Sequence, residues 1–260
     1  MATYRPLKLS GQVFFGTYDP TNGVASQGYV TNLRPVSCAV ATFEFTPDVT
    51  LQQITERCTA ARALYAEVPQ TVAATLTVSM ESVSTKELAI AMSSDATTVA
   101  GDAITGESLG TPAAGDYVFT RNPDISLLTI TDSEETPVPL VVDVNYEIVD
   151  AKSGKLRFID VAGFTGPFVA DYTHGGHTNM ELLSNLTRRV AVVFDGINYD
   201  NEMRMLVTIP QWSAGVDGSL PLIGDEAVNL SMTGGVLYSG LNAEDALLGP
   251  FGKAVYLETP

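Results

Sequence analysis

Apolar and polar residues alternate in short runs along the chain, and Gly, Pro, Asn and Asp interrupt these runs at frequent intervals. The runs are rich in Val, Thr, Ile, Tyr and Phe, a pattern typical of β-strands joined by turns. In the clearest strand, Thr71 to Met80, the even-numbered residues are apolar and are predicted to face the core: Val72, Ala74, Leu76, Val78 and Met80. The odd-numbered residues are small and mostly polar and fall on the other face: Thr71, Ala73, Thr75, Thr77 and Ser79. The pattern predicts a mainly β protein.

One short helix is predicted directly after this strand, in the segment STKELAIAMSSD. Ser84 and Glu87 have the spacing of a capping box, in which each residue satisfies a backbone N–H group at the start of a helix. Leu88, Ala91 and Met92 supply the apolar stripe that such a helix needs.

The segment from Leu51 to Val68 is ambiguous. Its apolar residues recur at nearly helical spacing: Leu51, Ile54, Cys58, Ala61, Tyr65 and Val68. Thr50 and Gln53 precede them as a capping box, so periodicity alone predicts a helix.

A hairpin is predicted from Asn145 to Phe158. Tyr146 and Ile148 are expected to pair with Leu156 and Phe158 across a DAKSG loop, in which Gly154 is free to adopt a positive φ angle.

The composition of the chain shifts near residues 96 and 185. Residues 96–185 contain several strand candidates separated by turns, which indicates a small β-domain inserted into a larger one. Residues 1–95 and 186–260 are then the two parts of one discontinuous β-domain.

Charged residues make up only 17% of the chain, while apolar residues make up 45%. An average soluble protein has about 25% charged residues, and the cores of subunit interfaces are depleted in charge. This composition favours a protein whose surface is partly covered by other subunits.

The formal net charge is −16. Tight binding of nucleic acid depends on Lys and Arg side chains that neutralise phosphates. A chain this acidic is therefore not expected to bind DNA or RNA tightly. The charge is still compatible with a protein that surrounds DNA without holding it.

Two cysteines, Cys38 and Cys58, are too few for a disulfide framework, and they are predicted to be buried reduced thiols. The first residues, MATYRPLKLSGQVFF, contain no apolar stretch long enough for a secretion signal. No segment approaches the roughly 18 apolar residues of a membrane-spanning helix. The chain is therefore expected to fold in the cytoplasm without contacting a membrane.

Two motifs are candidate sites of chemistry. The GESLG segment, Gly106 to Gly110, matches the nucleophile elbow of hydrolases, in which Ser108 would have to lie on a sharp turn between a strand and a helix. The following TPAAG is typical of a loop, so an ordinary turn is favoured.

His174 and His177 stand three residues apart, and Asp171 and Glu181 are candidate oxygen ligands. Two histidines separated by two glycines on a loop fall short of the ligand set of a zinc site, so a polar loop is favoured.

An acidic stretch supplies oxygen atoms of the kind that Ca²⁺ binds: Asp195, Asn198, Asp200, Asn201 and Glu202. It lacks the glycine at the sixth position of an EF-hand loop, so a solvated turn is favoured. The nearest approach to a phosphate-binding loop, GPFGK at residues 249–253, is too short. The sequence therefore predicts no catalytic residue, no metal site, no cofactor and no enzymatic activity.

Four stretches of the chain are weak signals singly and specific in combination. They are residues 9–33 (LSGQVFF to GYVTNL), residues 39–92 (AVATFEF to ELAIAM), residues 144–160 (VNYEIVDAKSGKLRFID) and residues 190–239 (VAVVFDG to GGVLYS). Their order resembles that of the major tail tube proteins of long-tailed, siphovirus-type bacteriophages across nearly the whole chain. The first stretch is similar to the family's opening strand and protruding turn, and the second to its hairpin, long strand and helix.

The resemblance implies a sandwich-like or barrel-like fold of packed antiparallel β-sheets beside a helix. It also implies hexameric rings whose strands unite into a continuous barrel, stacked into a tube that delivers viral DNA. The expected partners are further copies of the chain, the tape-measure protein and viral DNA in the lumen without tight binding, and the tail terminator and tail-tip proteins. The expected location is the virion tail, after assembly in the host cytoplasm.

The resemblance also implies that Leu51 to Val68 forms two strands joined near Thr59 to Arg62, because tertiary context commonly overrides local helix preference. The chain departs from the shortest members of the family by carrying residues 96–185, which are predicted to lie on the outside of the tube. The polar face of the strand from Thr71 to Met80 is predicted to face the lumen.

Two other functions remain as alternatives. A surface or carbohydrate-binding β-sandwich module shares the short strands and Tyr-rich loops, although such a module predicts a secretion signal. An esterase built on Ser108 is the other alternative.

Overall fold

Strands account for 54% of the structure and helices for 5%, which confirms the predicted mainly β fold. The structure is a computed structural model and describes residues 8–24, 27–58, 61–200, 202–223, 229–245 and 247–257. The sheets are antiparallel and packed, and none is closed into a barrel. The chain divides into two compact units, of which unit 1 comprises residues 1–95 and 181–260 and unit 2 comprises residues 96–180.

The strands of unit 1 are β1 (Leu9–Tyr18), β2 (Val30–Pro35), β3 (Val40–Thr55), β4 (Leu64–Met80), β13 (Val190–Asn198), β14 (Arg204–Trp212), β15 (Gly215–Val216), β16 (Leu230–Val236) and β17 (Lys253–Tyr256). They form one nine-stranded sheet in the order β2-β1-β13-β14-β16-β4-β3, with β15 beside β16 and β17 beside β14. Strand β14 meets β16 at a single pair, Trp212 and Val236.

The sheet of unit 1 folds over at this pair into two layers. Phe43 on β3 and Phe194 on β13 stack with ring centroids 4.9 Å apart, although four strand spacings, about 19 Å in a flat sheet, separate their strands. Trp212 is fully buried, donates from its indole N–H to the carbonyl oxygen of Gly234 at 3.1 Å and packs against Phe15. The core therefore lies between the two layers.

Helix α1 (Thr85–Ala91) confirms the predicted helix and its capping box, because the side chain of Glu87 accepts from the backbone N–H of Ser84 at 2.9 Å. The predicted apolar stripe is correct only at Ala91. Leu88 and Met92 are half-buried, whereas Ala89 and Ile90 are buried. This short helix therefore packs against the sheet with a wider set of residues than the predicted stripe. A second helix, α2 (Gly240–Glu244), was not predicted.

Glu87 is 3% exposed, and its carboxylate forms an ion pair with Arg34 of β2. Burial raises the pKa of Glu87, but the hydrogen bonds from Ser84 and the guanidinium of Arg34 outweigh burial and hold the pKa below its usual value. The charged form of Glu87 therefore stabilises the folded state and ties α1 to β2.

We expect Glu87→Gln to lower the free energy of unfolding of unit 1 by about 1–3 kcal/mol at neutral pH, because the variant leaves the Arg34 cation without its buried partner. A carboxyl with a lowered folded pKa stabilises the protein above its unfolded pKa of about 4.3 and loses that effect as the pH falls through the folded value. The deficit of the variant should therefore shrink in acid. Urea unfolding, followed by the fluorescence of Trp212, the single tryptophan, measures the free energy of unfolding of both proteins at neutral pH and in acid. An equal deficit in acid would contradict the assignment.

The ambiguous segment Leu51 to Val68 forms strands, as the resemblance implied. β3 and β4 pair continuously from Val40 opposite Met80 to Thr55 opposite Leu64. The periodicity was misleading because antiparallel pairing along the whole hairpin outweighs the local preference of an exposed segment. Thr59 and Ala60 of the predicted turn lie outside the described residues.

The prediction of buried thiols is wrong. Cys38 is exposed in the turn between β2 and β3, and Cys58 is exposed beyond the end of β3. Both residues lie in turns rather than on the core-facing side of a strand, so neither side chain is directed into the core.

Unit 2 contains β6 (Asp102–Gly110), β7 (Tyr117–Phe119), β8 (Ile125–Thr131), β9 (Tyr146–Asp150), β10 (Lys155–Phe158) and β11 (Phe168–His174). They form two three-stranded sheets, β7-β10-β9 and β6-β11-β8, around a core of their own. The strands β5 (Asp95–Val99) and β12 (His177–Glu181) pair with each other where the chain enters and leaves this unit.

The predicted hairpin of unit 2 is confirmed. Ile148 pairs with Leu156, Tyr146 pairs with Phe158, and Gly154 in the connecting turn has a φ angle of 69°.

Candidate assembly surface

A polar face lies on the side of β16, β4 and β3 that points away from the core. On β4 the predicted alternation is confirmed from Ala74 to Met80, since Ala74, Leu76, Val78 and Met80 are buried. Between them Thr75 is exposed, and Thr77 and Ser79 are half-buried.

Neighbouring strands extend this polar face through directly paired residues, which share one side of a sheet. Thr77 lies opposite Thr233 of β16, with 3.1 Å between the two hydroxyl oxygens, and opposite Glu44 of β3. Further along, Ala73 lies opposite Asp48 of β3. The face therefore combines short hydroxyl side chains with two carboxylates.

Glu44 and Asp48 are not among the residues predicted from the sequence, although a signal for them is present. Residues Thr42 to Thr50 alternate strictly between polar side chains at even positions and Phe43, Phe45, Pro47 and Val49 at odd positions. This period of two predicts a strand with one polar face, and pairing with β4 places that face beside the polar face of β4.

The prediction that Val72 faces a core is wrong for the single chain, in which Val72 is 53% exposed. The reason is that β16 accompanies β4 only as far as Ala74. Beyond that point β3 and β4 continue as a two-stranded ribbon, formed by residues 48–55 and 64–73. Among the described residues of unit 1, no layer covers Val72 on the core-facing side of the ribbon.

The ribbon exposes seven large apolar side chains, each at least 42% exposed: Val49, Leu51, Ile54, Leu64, Tyr65, Val68 and Val72. The core-facing side of β3 and β4 continues onto this ribbon without a break. On that side Phe45 lies opposite Leu76, Pro47 opposite Ala74 and Val49 opposite Val72. An isolated two-stranded ribbon is at best marginally stable in water, and large exposed apolar patches mark interaction sites. The ribbon thus has the properties of a surface that another chain covers.

The outer edge of β3 is also open. Among the described residues β3 pairs with β4 alone, along 16 residues. A long free edge presents unpaired backbone N–H and C=O groups and is a template for adding a further strand.

The GESLG segment is not the ordinary turn that was favoured. Ser108 lies exposed within β6, opposite Val169 of β11. No helix begins after it, since β6 is followed by a loop and then by β7. The strand-to-helix turn that a nucleophile elbow needs is missing around Ser108.

The predicted polar loop is wrong for the two histidines, because His174 is the last residue of β11 and His177 is the first residue of β12. His174 is buried and His177 half-buried, and their ring centroids are 5.5 Å apart. Both Nδ1 atoms lie within 3.3 Å of the carbonyl oxygen of Gly175. The carboxylate of Asp171 instead accepts from the backbone N–H of Gly106.

The prediction that the acidic stretch is a solvated turn is correct only in part. Asp200 and Glu202 lie between β13 and β14, whereas Asp195 and Asn198 belong to β13. Asn198 is 2% exposed, and its side-chain oxygen accepts from the backbone N–H groups of Lys8 and Asp200. Asp195 forms an ion pair with Arg204 at 3.3 Å. Asn201 lies outside the described residues.

The described residues contain no cluster of three or more His, Cys, Asp and Glu side chains suited to a metal ion. No helix in this part of the chain is long and apolar enough to span a bilayer.

A family model described as "Protein of unknown function UCP028589" matches residues 7–255. Since the match covers nearly the whole chain, the chain belongs to this family. No curated protein matches the chain.

Proposed function

We propose that this member of the UCP028589 family is the tail tube subunit of a long-tailed bacteriophage, a non-enzymatic protein that forms stacked hexameric rings. The observation that carries the proposal is the exposed apolar ribbon of β3 and β4 beside a free strand edge. The order of the four sequence stretches supports it independently. A protein that is to close a barrel with its neighbours needs such an edge and such a surface, because closure satisfies the backbone groups of the edge.

The polar face of β16, β4 and β3 is the proposed wall of the lumen. Its members on β4 are Thr71, Ala73, Thr75, Thr77 and Ser79. Thr77 and Ala73 lie opposite Glu44 and Asp48 of β3. Short hydroxyl side chains leave the channel wide, and carboxylates repel the phosphates of passing DNA. Each ring of six copies carries six times the −16 charge of the chain, which favours transit without binding.

Under this proposal the tape-measure protein fills the lumen before DNA does. The tail terminator and tail-tip proteins bind the two ends of the tube, and the subunit assembles in the host cytoplasm and then belongs to the virion tail. No cofactor, metal or membrane takes part.

Negative-stain microscopy of the concentrated protein tests the proposal. Tubes or stacked rings with a central channel are the expected result. Isolated particles at every concentration would contradict the proposal and would favour the surface or carbohydrate-binding module. Esterase activity that Ser108→Ala removes would favour the esterase alternative.

Unit 2 is proposed to lie on the outside of the tube. Deleting residues 96–180 and joining their ends with a short Gly/Ser linker should then leave the fold of unit 1 and its assembly intact. The ends to be joined are close, since the backbone N–H of Asp95 donates to the hydroxyl of Ser184 at 2.9 Å. Trp212 fluorescence and microscopy measure the two outcomes. A folded deletion variant that no longer forms tubes would contradict the exterior placement.

A further inference from the structure

The turn that follows β1 contains the single Asn-Gly pair of the chain, Asn22 and Gly23. Asn22 is exposed. Asparagine deamidates fastest when glycine follows it, because glycine has no side chain to shield its backbone nitrogen from the asparagine side chain. The turn therefore holds the pair of residues in this chain that is most prone to this reaction.

Deamidation at this pair consumes only water. The backbone nitrogen of Gly23 forms a bond to the side-chain carbonyl carbon of Asn22, and the bond from that carbon to Nδ2 breaks. The Nδ2 amino group leaves as ammonia with the proton of the Gly23 N–H. Water then opens the cyclic imide at one of its two carbonyl carbons, which leaves an aspartate or an isoaspartate and one additional negative charge.

In the folded turn both reacting groups are held in other bonds. The backbone N–H of Gly23 donates to the carbonyl oxygen of Asp19 at 2.9 Å. Nδ2 of Asn22 donates to the carboxylate of Asp19 at 3.2 Å. Ring closure requires the nitrogen and the carbon to approach within about 3–3.5 Å in a reactive orientation, and it removes the Gly23 proton and the Nδ2 group. Both hydrogen bonds to Asp19 must therefore break before the ring can close.

Asp19 is the residue that closes the turn. Its carboxylate also accepts from the backbone N–H groups of Thr21 and Asn22 at 2.9 and 3.0 Å. The hydrogen bond from the backbone of Asn22, and after it the bond from Thr21, lowers the pKa of Asp19, so this carboxyl group is charged at neutral pH. Hydrogen bonds to a charged acceptor are stronger than those to a neutral one.

The packing of the turn requires glycine at position 23. A Cβ atom at this position would lie 2.3 Å from the carbonyl oxygen of Asp19 and 2.4 Å from the carbonyl carbon of Tyr29. Both atoms belong to the backbone, so neither can rotate away. The fold therefore needs the same glycine that makes Asn22 reactive.

We propose that Asn22 is a site of spontaneous deamidation that the closed turn protects, with Asp19 as the protecting residue. The reaction then starts only from the open turn, so its rate is the open fraction multiplied by the rate in an unfolded chain. The product cannot close the turn in the same way, because a carboxylate replaces the Nδ2 donor that faced the carboxylate of Asp19. Deamidation is thus a one-way step that leaves the turn open. It takes place within one chain and does not depend on the proposed function.

Mass spectrometry of the peptide that contains Asn22 tests this protection. Folded protein and protein unfolded in guanidinium chloride are incubated at the same neutral pH, and fragmentation of the peptide locates the modified residue. We expect Asn22 to deamidate at least about tenfold more slowly in the folded protein, which corresponds to an opening free energy of about 1.4 kcal/mol or more.

Asp19→Ala should raise the rate at Asn22 in the folded protein towards the rate of the unfolded chain, because it removes the three hydrogen bonds that the carboxylate accepts. Asp150→Ala is the matched control. The carboxylate of Asp150 closes a turn of unit 2 in a similar way, by accepting from the backbone N–H of Lys152 at 2.9 Å, and its loss should leave the rate at Asn22 unchanged. Trp212 fluorescence confirms that both variants are folded.

Asn22→Asp tests the one-way character of the step. Two carboxylates then face each other in the turn, so hydrogen exchange at the backbone N–H of Gly23 should be at least about tenfold faster than in the wild type. Unchanged exchange would show that the product closes the turn again and would overturn this part of the proposal.

Three results would overturn the protection itself. Equal rates at Asn22 in folded and unfolded wild-type protein would show that the turn does not protect it. A rate in folded Asp19→Ala as low as that of the wild type would show that Asp19 is not the protecting residue. An equal rise in Asp150→Ala would show a general loosening of the chain instead of a local effect of Asp19.

Discussion

Leu76→Lys is expected to prevent unit 1 from folding. Leu76 is fully buried in the core between the two sheet layers, where it packs among side chains such as Val13 and Trp212. An unpaired ammonium at this position costs several kcal/mol, and the whole free energy of unfolding of a domain is about 5–15 kcal/mol. Low soluble yield and the loss of the native Trp212 fluorescence are the expected readouts.

Thr75→Lys is the matched substitution, one residue away on the opposite face. Thr75 is exposed and lies between Gly235 of β16 and Thr46 of β3, both small, so a lysine has room there. We expect a folded protein that still forms tubes, because surface substitutions usually change stability by less than about 0.5 kcal/mol. Each ring would then line the proposed lumen with lysines.

A virus that carries Thr75→Lys should form tails of normal appearance and eject its DNA slowly or incompletely, because the added ammonium groups attract phosphates. Microscopy of the tails and DNA ejection measure the two effects. Normal ejection from tails that contain the variant would contradict the lumen assignment. Loss of tubes in Thr75→Lys, with Leu76→Lys tolerated, would instead invert the two faces of β4.

Alternation of polar and apolar residues was sufficient to predict the interior of the sheet. Leu76 and Val78 are buried where a period of two placed them. These residues follow the pattern because the sheet layer across from them belongs to the same chain. A pattern in one sequence is then enough to define both the strand and its buried face.

The alternation of polar and apolar residues was less informative where no sheet layer of the same chain lies across from the strand. Val72 continues the apolar face of β4 but lies beyond the last residue that pairs with β16. The apolar residues from Leu51 to Val68 lie on a ribbon that emerges from the sheet, so they follow no single core face and their spacing imitates a helix. Whether an apolar strand residue is buried depends on the neighbour across from it, which the residue pattern alone does not contain.

For the polar face, the sequence contains the alternating pattern, but only the pairing of β3 with β4 shows which residues lie side by side. Glu44 and Asp48 alternate with apolar residues in a strand of their own. Their place beside Thr77 and Ala73 depends on the register between β3 and β4, which a bulge or a one-residue slip would change. The lumen assignment for β4 therefore extends to carboxylates that the sequence did not connect with it.

Replacing Val49 with Lys and Val72 with Glu in the same chain is expected to abolish tube formation while leaving the subunit folded. The two residues lie directly opposite each other on the ribbon and are 48% and 53% exposed, so the single chain loses little apolar burial. An opposite-charge pair across two strands stabilises a hairpin by about 0.2–1 kcal/mol, and the net charge of the chain is unchanged. In the assembly the same pair would be desolvated at an apolar contact, which costs several kcal/mol for each copy.

The matched control places the same charge pair one residue along, on the other face of the ribbon, as Thr50→Lys with Thr71→Glu. These threonines also lie directly opposite each other, so the control has the same charges, the same cross-strand geometry and nearly the same position. It should form tubes, because its side chains point to the proposed lumen and stay in water. Microscopy and sedimentation of both variants measure assembly, and Trp212 fluorescence confirms their fold. Tubes from the valine variant would contradict the proposal that neighbouring subunits cover the apolar side of the ribbon. Loss of tubes from the threonine variant alone would show that they cover the polar face instead.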